Sequence, residues 1–368
     1  MDDEDEHPVL TAVSNSARQL YHLLRCINFS DKAHVQISEE GLRFSVDEAS
    51  VMEGSAFLDK SLFTSYTFRA TPPQPRQHED SDEEEEDEAS STPTFQISLP
   101  SLLETLQIFG LTDPNNSKPP WARDNSTSTA FSNNVLGMNN MCRISYDSIG
   151  APLSIILTES TISTTCNLTT YEPDFADEIP FDRQSLAFKT IMRGSWLFDA
   201  ISELASTSPE SLSLYARMAR GKPFFALSAS GPLGSARVEF SQQQQPTPAP
   251  PPTNPNHPSA PDAQPNLLET FQLSDPTSTL RSTYKFALIQ KAARAMSVAT
   301  KVSIRSDTQG VLSLQFMIEV DAGAEGAKVS FVDFRFVPLV DEGEEGYEAD
   351  ETILGIEADH DEGTKDEI

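Results

Sequence analysis

The sequence predicts an α+β fold built from two similar domains, and three observations support this prediction. The chain has 368 residues, which is enough for two domains that each bury a core. Its strand-like segments alternate apolar and polar residues, as antiparallel strands with one buried face do. Both halves also show the same predicted order, in which a unit of one strand, one helix and three strands occurs twice.

The first half begins with an amphipathic helix over 14–27, in which apolar residues recur at helical spacing. Three strands follow, with Gly41 at a hairpin turn. After an insertion come a strand, a short helix with Pro100 in its first turn, and three more strands. The predicted strands are 33–38, 41–46, 50–58, 95–98, 142–146, 153–157 and 160–168, and the second helix is 99–109.

The second half repeats this order. Its predicted helices cover 196–205 and 282–300. Its predicted strands cover 187–191, 212–216, 224–228, 236–240, 269–273, 301–305, 311–320 and 328–338.

Four polar segments are predicted to lack a packed structure because they cannot bury enough apolar surface. They are about 71–94, about 113–134, the Gln- and Pro-rich stretch about 241–266, and the acidic tail 341–368. The formal net charge is −30, but the runs 2–6, 79–88 and 341–368 hold 27 of the 56 acids. The rest of the chain has 29 acids and 25 Lys and Arg residues, so it is nearly neutral. The net charge therefore does not reveal which partners the folded part of the chain binds.

Several function classes lose support at this stage. The acidic start is the opposite of a secretory signal, which favours a cytoplasmic or nuclear protein. Cys26, Cys142 and Cys166 lie in apolar runs and suit a core rather than a disulfide framework or zinc site. The six histidines show no ligand spacing. We therefore expect no metal, no cofactor and no enzymatic activity.

Three segments together resemble the DNA sliding clamps. They are the hairpin 41–51, the strand pair 225–240 with its Ser-Ala-Ser-Gly-X-Leu-Gly core, and the closing strand and tail 332–339. The resemblance implies a two-domain DNA-clamp (PCNA-like) fold, with domains 1–170 and 186–340 joined by a connector 171–185. The insertions and the acidic tail depart from the compact replicative type. They resemble instead the fungal form of the checkpoint clamp, the nine-one-one complex, and its Rad-one/Rec-one type subunit.

That resemblance implies a nuclear, heterotrimeric ring with two other clamp-like subunits. A clamp loader would place it on double-stranded DNA without sequence specificity, and it would recruit checkpoint and repair proteins. Three alternatives stay open: a homotrimeric replicative processivity clamp, a metal-dependent 3'-5' exonuclease acting in DNA repair, and an acidic histone-binding protein.

A sliding ring must contact phosphates without reading bases, so Lys and Arg on inward-facing helices are the candidate DNA contacts. Periodicity places Arg18, His22 and Arg25 opposite the apolar face of the first helix, and Lys291 and Arg294 opposite that of the last. Solvation of an exposed helix face explains each of them equally well. The corresponding polar faces of the other two helices carry the acids Glu104, Asp199 and Glu203.

Two further surfaces follow from the resemblance. A peptide pocket beneath the connector is expected at Val46, Ser50, Pro173, Phe175, Ile179 and Pro338, with Phe175 and Ile179 exposed. The alternative is an ordinary linker whose aromatic residues pack on the core.

Edge strands are expected to close the ring, because their unpaired backbone groups invite pairing with another chain. The expected interface residues are Ser160, Ile162, Thr164, Cys166, Leu233, Ala236 and Val238.

Overall fold

A computed structural model describes residues 7–69, 92–108, 141–159, 162–173, 178–219, 221–240, 267–321 and 328–340. The predicted segments 113–134, 241–266 and 341–368, and most of 71–94, lie outside these residues. The elements of the first half are β1 Leu10–Ser14, α1 Ala17–Leu24 with a 3-10 turn Arg25–Ile27, β2 Lys32–Ser38, β3 Gly41–Glu48, β4 Met52–Asp59, β5 Ser65–Phe68, β6 Thr94–Ser98, α2 Leu99–Leu106, β7 Met141–Tyr146, β8 Leu153–Glu159 and β9 Ile162–Leu168.

The second half begins at residue 186. Its elements are β10 Leu186–Arg193, α3 Gly194–Ala205, β11 Ser211–Ala219, β12 Lys222–Gly231, β13 Gly234–Phe240, β14 Thr270–Leu273, β15 Leu280–Lys285, α4 Phe286–Lys291, α5 Ala293–Val298, β16 Lys301–Asp307, β17 Leu312–Asp321 and β18 Lys328–Phe336.

The described strands form three sheets. A five-stranded sheet, β5-β1-β7-β8-β9, belongs to the first half, and a four-stranded sheet, β13-β12-β11-β15, belongs to the second. A nine-stranded sheet, β14-β10-β16-β17-β18-β4-β3-β2-β6, spans both halves. Its two parts are joined by the antiparallel pair β18 and β4, so the last strand of the chain completes a sheet begun near its start.

The helices form one layer. Helix α1 packs against α2, the 3-10 turn that follows α1 packs against α5, and α5 packs against α3. Gln19 on α1 also donates to the carbonyl oxygen of Val320 at 3.2 Å, which ties the first helix to a strand of the second half. The layer is therefore continuous across both halves.

Local chemistry explains where the first two helices begin. The side chain of Ser16 accepts a hydrogen bond from the backbone N–H of Gln19, and that of Ser98 accepts one from Ser101. Both serines thus satisfy an N–H group that the first turn of a helix leaves free. In α2, Pro100 occupies the first turn, where its missing N–H costs nothing.

The predicted helix over 282–300 is wrong at its start. Residues Leu280–Lys285 form strand β15, which pairs with β11, and two shorter helices divided at Ala292 follow it. Tyr284 explains the error, because it is apolar enough to extend a helical pattern but is buried as a strand residue. The strands β1 and β5 were not predicted either, although β1 alternates buried and half-buried residues.

Candidate functional surfaces

The helix layer presents the first group of predicted DNA-facing residues together. Residues Arg18, His22 and Arg25 recur at helical spacing, and all are more exposed than the buried Leu20 and Leu24 between them. Arg18 Nε donates to His22 Nε2 at 3.3 Å. Arg25 lies 5.7 Å from the centre of the Tyr21 ring and is exposed. The three side chains therefore form a basic stripe along α1.

Lys291 and Arg294 are held differently. The ammonium group of Lys291 forms an ion pair with Glu48 and lies 5.7 Å from the centre of the Phe29 ring. Its charge therefore joins α4 to the end of β3. Arg294 is half-buried, its Nε lacks a hydrogen-bond partner, and its charge acts on the nearby Cys26.

Acids lie on the other two long helices of the layer. Glu104 on α2 is exposed, as are Asp199 and Glu203 on α3. Arg193, which sequence reasoning missed, is exposed at the start of α3, and its guanidinium lies 5.1 Å from the centre of the Trp196 ring. Arg193 is the last residue of β10 and directly precedes α3, so a predicted junction between a strand and a helix could have identified it. The basic charge of the layer is uneven along its length.

The connector contacts the nine-stranded sheet in two described parts, 171–173 at an edge and 178–182 on the outer face, which carries Glu53 and Arg335 and lies opposite the buried Phe334. It leaves from the sheet edge at β6, where Tyr171 exchanges two backbone hydrogen bonds of 2.9 Å with Gln96. Near its other end, the N–H of Asp182 donates to Asp307 Oδ2 at 3.3 Å, at the end of β16. The described parts of the connector are thus fixed at both ends.

Ile179 is 4% exposed, so the expectation of an exposed residue here is wrong. Its N–H donates to Glu53 Oε2 at 3.3 Å, and its carbonyl oxygen accepts from Arg335 Nη1 at 2.7 Å. Burial raises the pKa of Glu53, and the charge of Arg335 partly opposes that rise. Polar groups of the sheet therefore hold the backbone of the connector and bury its apolar side chain.

A second charged pair, Arg305 and Asp333, lies on the sheet beneath Phe181 of the connector. Arg305 stands 5.5 Å from the centre of the Phe181 ring and 3.8 Å from Asp333 Oδ1. Burial raises the pKa of Asp333, against the charges of Arg305 and Arg183. Burial likewise lowers the pKa of Arg305. The groups beneath the connector are thus more polar than a hydrophobic peptide pocket requires.

Two of the other predicted pocket residues lie close together, because the N–H of Val337, next to Pro338, donates at 2.9 Å to the carbonyl oxygen of Val51, next to Ser50. Val46 is buried, whereas Ser50 is exposed and adopts a left-handed conformation, φ 56°, in the turn between β3 and β4. Pro173 and Pro338 are half-buried, and Pro338 packs over Gly310. Phe175 lies outside the described residues. The pocket as a whole stays a prediction, and only the exposure expected of Ile179 is wrong.

A row of three apolar residues, of which Phe331 is exposed and the other two are half-buried, lies on the same outer face. Phe57, Phe331 and Met317 stand side by side on β4, β18 and β17 as directly paired residues. Phe331 is 43% exposed and the neighbouring Val329 is 38% exposed. Sequence reasoning missed this row, although the alternation of β18 places Phe331 opposite the buried Val332 and Phe334.

Two sheets end in open edge strands that carry the predicted ring interface. In β9 Thr164 and Cys166 are half-buried, and Ile162 is 62% exposed. In β13 Ala236 and Val238 are half-buried against the core, and Leu233 in the preceding turn is 75% exposed. Ser160 lies outside the described residues. Each edge strand thus has one anchored face and a row of backbone groups that pairs with no further described strand.

Two of the three cysteines are buried, and the third, Cys166, is a half-buried residue of β9. Among the described residues, no cluster of three or more His, Cys, Asp or Glu could hold a metal ion. Burial raises the pKa of Cys26 and of Cys142 to about 12, so both thiols stay protonated at neutral pH. No helix within the described ranges is long and apolar enough to cross a membrane.

Solved structures of sliding clamps share this architecture. Proliferating Cellular Nuclear Antigen from Entamoeba histolytica matches with a TM-score of 0.56 at 11% identity, over 90% of this chain and 100% of that one. The PCNA2-PCNA3 complex from Sulfolobus tokodaii matches with a TM-score of 0.56 at 13% identity, over 89% and 98% of the two chains. The protein is therefore of the PCNA-like clamp class, and the predicted fold is confirmed.

Sequence comparison identifies the family within that class. The family described as "Repair protein Rad1/Rec1/Rad17" matches residues 9–318. The DNA damage checkpoint control protein rad1 of Schizosaccharomyces pombe is 31% identical over 326 residues, 88% of this chain and 84% of that one. Cell cycle checkpoint protein RAD1 of Homo sapiens is 26% identical over 336 residues, 91% and 94% of the two chains. The chain belongs to the Rad1/Rec1/Rad17 family, and with its fold this makes it a checkpoint sliding-clamp subunit.

Proposed function

We propose that this chain is one of three unlike subunits of a nuclear ring that encloses double-stranded DNA, is loaded by a clamp loader and recruits checkpoint and repair proteins. Its role is that of a scaffold without catalytic activity. The observation that carries the proposal is the pair of open edge strands, β9 in one half and β13 in the other, beside a helix layer that spans both halves. A subunit with two such edges can pair with a neighbour at each of them.

The two edges differ in their side chains, which supports unlike neighbours. Strand β9 reads Ile-Ser-Thr-Thr-Cys-Asn-Leu and carries no charge, whereas β13 contains an ion pair between Arg237 and Glu239. Pairing β13 with β9 would leave these charges opposite an uncharged strand. A closed homotrimer, which must pair those two edges with each other, therefore has less support than a ring of unlike subunits.

Domain organisation is part of the proposal. We assign residues 1–170 and 186–340 to two clamp domains and 171–185 to the connector. The five-stranded sheet draws on the first range only and the four-stranded sheet on the second only, which supports this division.

The helix layer is the proposed DNA-facing surface. Arg18, His22 and Arg25 supply a basic stripe that meets phosphates without reading bases. Lys291 contributes less, because its ion pair with Glu48 neutralises its charge. Acids on α2 and α3 leave this subunit's lining mixed in charge, so much of the attraction for DNA comes from the partner subunits.

Partner proteins are proposed to dock on the outer face, at the row of Phe57, Phe331 and Met317. The row is apolar with the exposed Phe331 at its centre, and it is flanked on its paired strands by Arg43 and Lys301. Exposed aromatic residues beside basic ones are typical of a surface that binds other proteins. The pocket predicted beneath the connector stays a second candidate, with Ile179 as a buried anchor rather than an exposed residue.

Native mass spectrometry of complexes purified gently from the source cells tests the ring. The expected result is a one-to-one-to-one assembly with two unlike clamp-sized chains. A self-trimer would move the chain to the replicative type, and a chain found only with histones would refute the ring.

A further inference from the structure

Arginines and aromatic rings alternate on the face of the four-stranded sheet that points away from helix α3. The guanidinium of Arg217 lies 5.0 Å from the centre of the Phe224 ring. That of Arg237 lies 5.5 Å from the Phe224 centre and 5.2 Å from the Tyr215 centre, and Arg281 lies 5.6 Å from Tyr215. We call these five residues the arginine stack. It crosses all the strands of this sheet, β13, β12, β11 and β15.

Two arginines of the stack carry hydrogen-bond donors without an acceptor, and its rings are largely covered. Tyr215 is only 7% exposed, and Phe224 is half-buried with the guanidinium groups of Arg217 and Arg237 beside it. Nε of Arg217 and both Nε and Nη2 of Arg237 are buried without a hydrogen-bond partner. Glu239 Oε1 lies 3.0 Å from Arg237 Nε, which gives an ion pair without hydrogen-bond alignment. Buried donors without an acceptor are costly, and carboxylates are strong acceptors for guanidinium groups.

The chain itself delivers carboxylates to this place. After β18 it passes alongside edge strand β15, where the N–H of Leu339 donates to the carbonyl oxygen of Thr283 at 2.7 Å. Thr283 is two residues from Arg281 on that strand, so both point to the same face. Residues 341–351 follow directly, and they contain seven acids and no Lys or Arg.

The segment is also long enough. Crossing from β15 to β13 takes three strand spacings of about 4.8 Å, roughly 14 Å in all. About five extended residues at about 3.3 Å each cover that distance. We propose that residues 341–351 bind the arginine stack as an intramolecular acidic ligand and so keep DNA and other polyanions off this basic face. This inference rests on the stack and on the path of the chain, and it holds or fails independently of the ring.

A competition experiment on the full-length protein tests this. The probe is a fluorescein-labelled synthetic peptide of residues 341–351, and its binding is followed by fluorescence anisotropy at low salt. In the tail-neutralised variant, the seven acids of 341–351 are replaced by Asn and Gln, which leaves the folded body unchanged. We expect this variant to bind the peptide at least about tenfold more tightly than the native chain, whose own segment competes at high effective concentration.

Arginine variants made in the tail-neutralised chain locate the site. Arg217→Gln with Arg281→Gln is expected to abolish most of the peptide binding. The matched pair Arg69→Gln with Arg143→Gln, two exposed arginines of the first half, is expected to leave it unchanged. Circular dichroism confirms that each variant is folded.

Three results would overturn the proposal. The peptide could fail to bind the tail-neutralised chain, or bind the native and the neutralised chains equally. In the third case, a short DNA duplex would bind through Arg217 and Arg281 as tightly in the native chain as in the tail-neutralised chain, and the segment would then not shield the stack.

Discussion

Arg335 and Ile179 fasten the connector to the seam of the two halves. Arg335 Nη1 on β18 donates to the carbonyl oxygen of Ile179 at 2.7 Å and also lies 3.4 Å from Glu53 Oε2 on the paired strand β4. Glu53 in turn accepts the N–H of Ile179. One guanidinium therefore holds together the connector, the last strand and a strand of the first half.

Replacing this arginine should cost stability. Arg335→Gln removes the positive charge beside the buried Glu53 and the donor to Ile179, and we expect it to lower the free energy of unfolding by about 2–3 kcal/mol. Urea unfolding followed by circular dichroism measures this. Lys60→Gln is the control, because it removes an exposed ion pair with Glu40 and should cost less than about 1 kcal/mol. Equal losses in both variants would contradict the role given to Arg335.

Gly54 should tolerate no side chain. A Cβ at this position would lie 2.7 Å from Phe29 Cε1 and 3.0 Å from Phe334 Cε1, at the seam between β4 and β18. Gly54→Ala is expected to destabilise the protein by about 1–3 kcal/mol through overpacking. Phe29→Leu removes the nearer ring atoms, so Gly54→Ala should cost less in that background. A double-mutant cycle by urea unfolding measures the difference. Strict additivity of the two changes would show that the aromatic ring of Phe29 is not the obstacle.

Much of the fold could be predicted from local patterns. Helix α1 has a one-sided apolar stripe, and β2 and β3 alternate, so periodicity alone places them. Strand β15 could not be separated from α4 in this way, because Tyr284 and Phe286 continue one apolar run across the junction. Only the pairing of β15 with β11, a contact distant in sequence, makes residues 280–285 a strand.

The surfaces were harder to predict than the fold. Ile179 lies between prolines and acids, which suggests exposure, yet partners far away in sequence bury it. The same limit applies to the row of Phe57, Phe331 and Met317, whose residues come together only when β18 pairs with β4 and β17. Edge strands β9 and β13 were found because their resemblance to clamp strands covered a whole segment rather than single side chains.

The basic stripe of α1 should contribute to salt-dependent DNA binding by the assembled ring. Arg18→Gln with Arg25→Gln should reduce the slope of log affinity against log salt by about 0.9 for each lost phosphate contact. Lys291→Gln should change that slope less, because Glu48 already neutralises the lysine. Duplex binding by fluorescence anisotropy at several salt concentrations measures both. A larger change for Lys291→Gln than for the paired variant would reverse the assignment.

The edge strands should govern ring assembly rather than folding. Ile162→Asp and Leu233→Asp change exposed residues, so each should alter unfolding by no more than about 0.5 kcal/mol. If these edges are buried in the ring, each charge should weaken assembly about tenfold or more. Ile149→Asp, 66% exposed in another turn, is the matched control and should assemble normally. Size-exclusion chromatography with the partner subunits separates the outcomes, and normal assembly of both edge variants would exclude these edges.

Asp333 should make stability fall as pH rises from about 4. Burial raises its pKa above the ordinary value of about 3.9, so the folded state keeps this proton when the unfolded state has lost it. Its contribution is therefore fully present below the unfolded-state pKa and is lost as pH rises through the folded-state pKa. Asp333→Asn does not titrate. The raised pKa already includes the opposing charge of Arg305, so the stability of this variant relative to the native chain should increase over that window.

The exposed Asp275 provides a control of opposite sign. Hydrogen bonds from the side chain and backbone of Thr277 lower its pKa, so its contribution is present above the ordinary value and is lost as pH falls. Asp275→Asn should therefore approach the native chain in stability at acidic pH. Urea unfolding of both variants in pH steps measures these differences. A relative stability of Asp333→Asn that is flat or decreases as pH rises from about 4 would contradict the raised pKa, because the charge of Arg305 would then offset the cost of burying the carboxylate.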